Sequence, residues 1–436
     1  MSSSVQKVGR FIAILAAVIS IFVLLLATPP QLYGEKKDKK DKKKQKQQAA
    51  EQHKTFLDVL DYSKIVWPNP PAITRVRYIN YFSGERFKET TQNKPAQKAS
   101  WMDRLAGISV GNTSAAEKPR FQLIMPYGMA VDSKNRLYIA DRKVSAIFVV
   151  NPETGEFEMI KNGVHARFGT IIGLAIDDSD RLFVSDSTNH RIIVFTPDFK
   201  VEGSFSSGLA DPGGLAIDNE NRFLYVPDAE LDQVFVFDAD PPYKLIRKIG
   251  TGGKQHTLTT PGDFAKPSNV AVDSDGNLYV SDTLNDRVEI FDADGNFIRT
   301  WGKPGDGPGY FARPKGIAID SDGHVWVADG VQDRLQVFTQ QGRLLLYMGG
   351  NGLLPGQFSA LAGLAIDKNN RVFTSEQYPG RVQIFRYTTD EEARAEKLRR
   401  DGEEQSKPLQ KAASPKANPE TGHGTPAVAS PQPREP

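Results

Sequence analysis

Short alternations of apolar and polar residues dominate the chain from about residue 126 onward. Runs such as LYVSD (278–282), VWVAD (325–329), RVEIFD (287–292) and RLQVFT (334–339) are each bounded by Gly, Asp or Asn. Period-two alternation over four to eight residues, closed by turn formers, predicts half-buried or buried β-strands rather than helices. The runs also recur. GMAVD (128–132), GLAID (173–177), GLAID (214–218), NVAVD (269–273), GIAID (316–320) and GLAID (363–367) stand at intervals of 45, 41, 55, 47 and 47 residues. After each Asp comes a polar turn, then a second alternating run, five or six polar residues, a third run, and often a fourth ending in aromatic-glycine, as in FIRTWG (297–302).

A four-stranded antiparallel unit repeated every 40 to 50 residues predicts an all-β chain folded as a six-bladed β-propeller. The first run of each unit, small and branched as in Gly316, Ile317, Ala318 and Ile319, suits the crowded inner position where sheets converge on an axis. The sixth unit stops after its third run, RVQIFRY (381–387), and passes into a charged, helix-like segment. Its open edge needs a partner, because unpaired ladder groups are costly and template aggregation. The segment ITRVRYINYFSGE (73–85) ends in YINYFSG, which echoes FIRTWG, and is predicted to close the last blade as its fourth strand.

Two further columns emerge when the six units are stacked. One holds Asp141, Asp186, Asp228, Asp282, Asp329 and Glu376; five residues later stand Ala146, Arg191, Gln233, Arg287, Arg334 and Arg381. An acid and a base that recur around a ring fit a structural loop clamp, since a catalytic group is needed once. The Asp residues ending the GLAID segments likewise suit caps of their own tight turns better than a ring of calcium ligands. The column of His190 also holds Ser145, Asp232, Asp286, Asp333 and Gly380, which reads as an exposed loop position.

These units, including the Asn189-His190-Arg191 stretch, resemble NHL repeats, and the resemblance spans six blades over residues 67–388. It implies an NHL-type propeller, a scaffold that serves as a binding platform, a sensor domain or, at times, an enzyme. Amidating lyases with related propellers place zinc-binding histidines just before the inner strands; the matching positions here are Tyr127, Ile172, Gly213, Ser268, Lys315 and Ala362. That zinc site is therefore not expected to carry over. His165, His190 and His256 supply a different three-histidine set on loops of one face, the basis of an alternative reading as a metal-dependent lactonase or lyase. No G-x-S-x-G elbow, HExxH motif or phosphate loop is present, and the chain has no cysteine. No cofactor or metal is expected.

The flanks change the picture of where the propeller works. Phe11 to Ala27 is apolar apart from Ser20, follows Lys7 and Arg10 in a basic N-terminus (1–10), and is closed by Thr28-Pro29-Pro30. Residues 11–28 read as a transmembrane helix or a signal peptide; bulky Leu25 near the cleavage position favours an uncleaved anchor. A charged stalk (29–66) follows. Residues 86–120 form an insertion with an amphipathic helix expected at 100–108, and 389–436 is read as a short capped helix with a Pro-rich disordered tail. Lys7, Arg10 and residues 35–46 contribute +7, so a net charge of +2 leaves −5 for the rest. That balance argues against nucleic acid as a partner of the folded part. The expectation is a single-pass protein of a bacterial inner membrane with its propeller periplasmic, although the lysine run alone would favour the cytoplasm. It would act as a non-catalytic scaffold binding a protein, peptide or glycan. Loop position and reach nominate Arg191, Arg287, Tyr310, Arg313, Lys315 and Arg334 as the contacts.

Overall fold

A computed structural model describes residues 60–83, 122–252 and 260–402, with the strand Lys88–Glu89 and the remainder of a helix to Ala412 described in backbone. The anchor segment 11–28, the stalk as far as residue 59, the insertion helix at 100–108, His256 and the tail from 413 lie outside the described residues. Among the described residues no helix is long and apolar enough to cross a membrane.

Six antiparallel sheets follow one another along the chain as the blades of a propeller. Their inner strands are Pro126–Val131, Ile171–Ile176, Ala216–Asp218, Pro267–Val272, Pro314–Ile319 and Leu361–Ile366, which contain or overlap the six repeat segments. In blade six the strands Leu361–Ile366, Arg371–Glu376 and Arg381–Tyr387 are followed in space by Val76–Phe82, with Val76 opposite Tyr387 and Phe82 opposite Val382. A strand from before the first blade is thus the fourth strand of the last blade. Val66–Trp67 adds a short fifth strand beyond it, and Lys88–Glu89 does the same, in parallel, for blade one.

Why the inner runs are small is visible at the axis. A Cβ on Gly316 would stand 2.8 Å from the Leu364 amide and 2.9 Å from the Ala362 carbonyl oxygen, and one on Gly173 2.7 Å from the Cα of Gly214. A Cβ on Gly363 would run into the carbonyl oxygen of Tyr127. Inner strands therefore touch backbone to backbone around the ring. Side-chain hydroxyls stitch the same contacts: Ser375 of blade six donates to the Tyr127 carbonyl of blade one at 2.7 Å and accepts from Gly363 N–H at 2.8 Å. Further out, each gap between blades is filled by buried aliphatic and aromatic residues, such as Trp326, Leu335, Phe358, Val76, Tyr78 and Phe385 between blades five and six.

The Asp residues that end the inner segments behave as turn caps. Asp132 Oδ1 accepts from the amides of Lys134 and Arg136, and Asp320 and Asp367 repeat the pattern at the same two and four residue offsets. After the last strand, Thr389 and Glu392 exchange the reciprocal bonds of a capping box at 3.2 and 2.9 Å. The helix they open runs Asp390–Ala412, so it continues past Pro408, where the sequence suggested that order ends.

A second polar column appears on the third strands. Glu289, Gln336 and Gln383 occupy equivalent places, and each accepts from a glycine amide 27 residues earlier, at 2.8, 2.8 and 2.9 Å for Gly262, Gly309 and Gly356. Only Glu289 is titratable, and burial pushes its carboxyl up to about 7 against the pull of the Arg287 guanidinium. Between the ordinary glutamate value and 7 the folded state holds more protons than the unfolded state, so stability falls as pH rises through that window. Glu289→Gln should flatten this part of the pH profile, raising stability above pH 7 by up to ~3 kcal/mol. Gln336→Glu should install the same slope in blade five. Melting curves from pH 5 to 8 check both.

Candidate functional site

In this topology the loops joining second to third strands and the loops between blades share one face, and the capped turns lie on the other. The acid column organises the first face. Asp141, Asp186, Asp228, Asp282, Asp329 and Glu376 are fully buried, and each accepts from the amide 17 residues earlier: Ile124, Gly169, Asp211, Ala265, Ala312 and Ser359. Every inter-blade loop is thereby tied to the blade it enters, which is the structural role the recurrence implied.

The basic column completes the clamp, and three of the nominated contacts belong to it. Arg287 is only 4% exposed; it pairs with Asp282 and Glu289 at 2.8 Å and donates to the Asp263 carbonyl at 3.2 Å. Arg191 lies 3.5 Å from Asp186 and donates to the Arg167 carbonyl at 2.6 Å. Arg334 donates to the Asp306 carbonyl at 2.7 Å. All three guanidiniums are committed to carbonyls of the preceding inter-blade loop, which sequence spacing within one loop did not reveal.

Tyr310, Arg313 and Lys315 keep their freedom. Tyr310 is 36% exposed with Lys303 Nζ 4.7 Å from its ring centre, and Arg313 is exposed on the same inter-blade loop. Lys315 begins the inner part of blade five. Burial and the guanidiniums of Arg142 and Arg313 hold its amine below the usual lysine range.

Two of the three histidines can be placed, and His256 lies outside the described residues. His165 Nδ1 accepts from the Lys161 amide at 2.9 Å inside its own turn, and His190 faces the Ala210 carbonyl. His190 has φ +53°, and Ser145, Asp232, Asp286, Asp333 and Gly380 share this left-handed conformation, so the column is selected for a backbone shape. Among the described residues no three His, Asp or Glu side chains are grouped to hold a metal ion.

What sequence reasoning missed lies on the axis. Tyr127 reaches from blade one towards the opposite blade four, where Asn269 Nδ2 donates to its hydroxyl at 3.4 Å. Its ring also packs with Ile172 and Ala362. Tyr127 therefore crosses the axis at the loop-face end of the inner strands, as the floor of a cluster of side chains, the cup. Arg142 lies 5.4 Å from the centre of the Tyr127 ring, Thr283 donates to Ser268 Oγ at 2.7 Å, and Ser187 Oγ is held by Asp211. In the sequence the ring positions before the inner strands stand out only by lacking histidine, and no motif marks Arg142, because its contact joins different runs.

Comparison with known proteins agrees with this architecture. The NHL repeat family matches residues 168–195, and a family described as a 6-bladed β-propeller matches 257–329. With its six blades, the chain is an NHL-repeat six-bladed β-propeller. It is 34% identical over 116 residues to a probable peptidyl-alpha-hydroxyglycine alpha-amidating lyase of Caenorhabditis elegans, a match covering 25% of this chain and 31% of that protein. The chain thus spans about a third of the length of this curated relative. Among solved structures, virginiamycin B lyase of Staphylococcus aureus aligns at 15% identity and a TM-score of 0.46, over 60% of this chain and 94% of the other. A gluconolactonase of Xanthomonas campestris aligns at 18% and 0.48, over 61% and 87%.

Proposed function

We propose that the protein is a membrane-tethered NHL propeller that binds a protein, peptide or glycan on its loop face without catalysing a reaction. The observation that carries this reading is the loop-face end of the axis: Tyr127 closes it with Arg142 over its ring and Lys315 close to Arg142, and exposed Tyr310 and Arg313 lie on the same face in the loop entering blade five. A concave site with an apolar floor and a few convergent polar groups is the common form of a recognition pocket. The tether rests on the apolar segment 11–28 and the charged stalk, with the propeller on the outer side of a bacterial inner membrane. Nucleic acid is not the partner, because the chain outside the basic N-terminal segments carries −5.

Joint substitution of Tyr310 and Arg313 by alanine should weaken capture of the native partner at least tenfold, while Asp275→Ala on the opposite face leaves it unchanged. Equal capture by all three proteins would remove the reading. A metal-dependent lactonase or lyase is the second reading, favoured by the 34% match to an amidating lyase. Stoichiometric metal in the purified chain, removable by chelator together with a turnover activity, would establish it instead.

A further inference from the structure

Two buried donors around the cup lack acceptors, and a lysine amine stands beside them. Arg142 Nε and Gln377 Nε2 are buried and have no partner among the described residues. Lys315 Nζ has no carboxylate within ion-pair distance among them, and its amine is desolvated. Buried donors left unpaired are costly and rare, so each one calls for an acceptor that the folded chain itself does not supply.

Their placement is not scattered. Arg142 follows Asp141 in blade one and its amide donates to the Met125 carbonyl; Gln377 follows Glu376 in blade six and donates to the Ala360 carbonyl at the same 17-residue offset. The two are therefore the same position in adjoining blades. In blade five that position is Gly330, where a Cβ would stand 2.9 Å from Lys315 Cε, so its glycine makes room for the lysine stem. Blades five, six and one adjoin around the ring and together form an arc of donors. The remaining arc offers Ser187 and Thr283, whose hydroxyls already donate to Asp211 and Ser268.

Neighbouring carboxylates do not neutralise the arc. Asp329 accepts from the amides of Ala312, Val331 and Gln332, and Asp333 from Leu361 N–H and Asn351 Nδ2. Both are spent on loop geometry. Arg142 meanwhile lies over the Tyr127 ring, a stacking that leaves the donor edge of a guanidinium available.

We propose that the cup is an oxyanion site, in which Arg142, Gln377 and Lys315 together receive a carboxylate or phosphoryl group of the ligand above the Tyr127 floor. This rests on the binding reading and specifies its ligand as one with an anionic terminus or substituent. A guanidinium, an amide N–H and an ammonium on adjoining blades match the several lone pairs of an oxyanion and reject a neutral amide, which offers fewer acceptors.

Equilibrium dialysis of the full chain with radiolabelled acetate or inorganic phosphate, at ionic strength fixed with chloride, tests it. The expected result is one saturable site per chain, weakened at least tenfold by Arg142→Gln and by Gln377→Glu. Gln377→Glu places a negative charge in the arc without removing a packed side chain, so melting curves should show it folded. Saturation by acetate alone assigns a carboxylate ligand, by phosphate alone a phosphoryl ligand, and by both the shared chemistry. No saturable site, or one indifferent to both variants, overturns the proposal. Should the cup take no oxyanion while the Tyr310 and Arg313 variants still abolish partner capture, this inference alone fails. The converse result would remove the binding reading.

Discussion

Deleting residues 67–85 is expected to abolish cooperative unfolding of the propeller. The strand Val76–Phe82 supplies the outer ladder of blade six, and Val76, Tyr78 and Phe82 are almost fully buried there. At 1.5–3 kcal/mol for each large apolar side chain, their loss removes roughly 6 kcal/mol before any ladder bond is counted. Domain stabilities are of the order of 5–15 kcal/mol, so little remains. Tyr78 packs edge-on against Phe385 at 5.3 Å. Arg75, just before the strand, donates to Tyr387 Oη at 2.7 Å and pairs with Asp390 at the start of the C-terminal helix. The N-terminal closing strand, the last strand and the helix thus close on one another, and the deletion opens all three contacts. Circular dichroism or calorimetry should show no cooperative melt; a transition like that of the intact chain would mean the ring holds without its closing strand.

The second large effect is expected at the axis. Gly363→Ala forces a methyl group against the Tyr127 carbonyl, which belongs to the neighbouring inner strand and cannot rotate away as a side chain would. Overpacking a well-packed core typically costs 1–3 kcal/mol, and a clash with backbone belongs at or above ~3 kcal/mol. Because Tyr127 is also the floor of the cup, the variant should lose ligand binding by more than its stability alone explains. Gly350→Ala is the contrast: no atom lies within 4 Å of a Cβ there, and only its φ of +127° opposes the change. Its effect should be confined to stability, read by thermal melts beside the binding measurement.

Much of this architecture was legible because a propeller is a repeat. A period of 41 to 55 residues, period-two alternation and a recurring Asp before each turn are local signals, and they locate the inner strands and their caps. The acid column was legible for the same reason, since six copies at one offset cannot each be an active site. The cup was not. Tyr127 and Asn269 lie 142 residues apart and meet only because the ring brings opposite blades together. The carbonyls that Arg191, Arg287 and Arg334 hold belong to inter-blade loops 24 to 28 residues upstream, a partnership that spacing within one loop does not reveal. Arg142 and Gln377 stand where no motif marks them, and their importance rests on partners they lack, which only coordinates reveal.

Recognition is expected on the face carrying the cup. A photo-cross-linking residue at position 313, on that face, should form an adduct with the native partner on illumination, and the same residue at position 275, on the capped-turn face, should not. Adducts from position 275 with none from 313 would contradict the account.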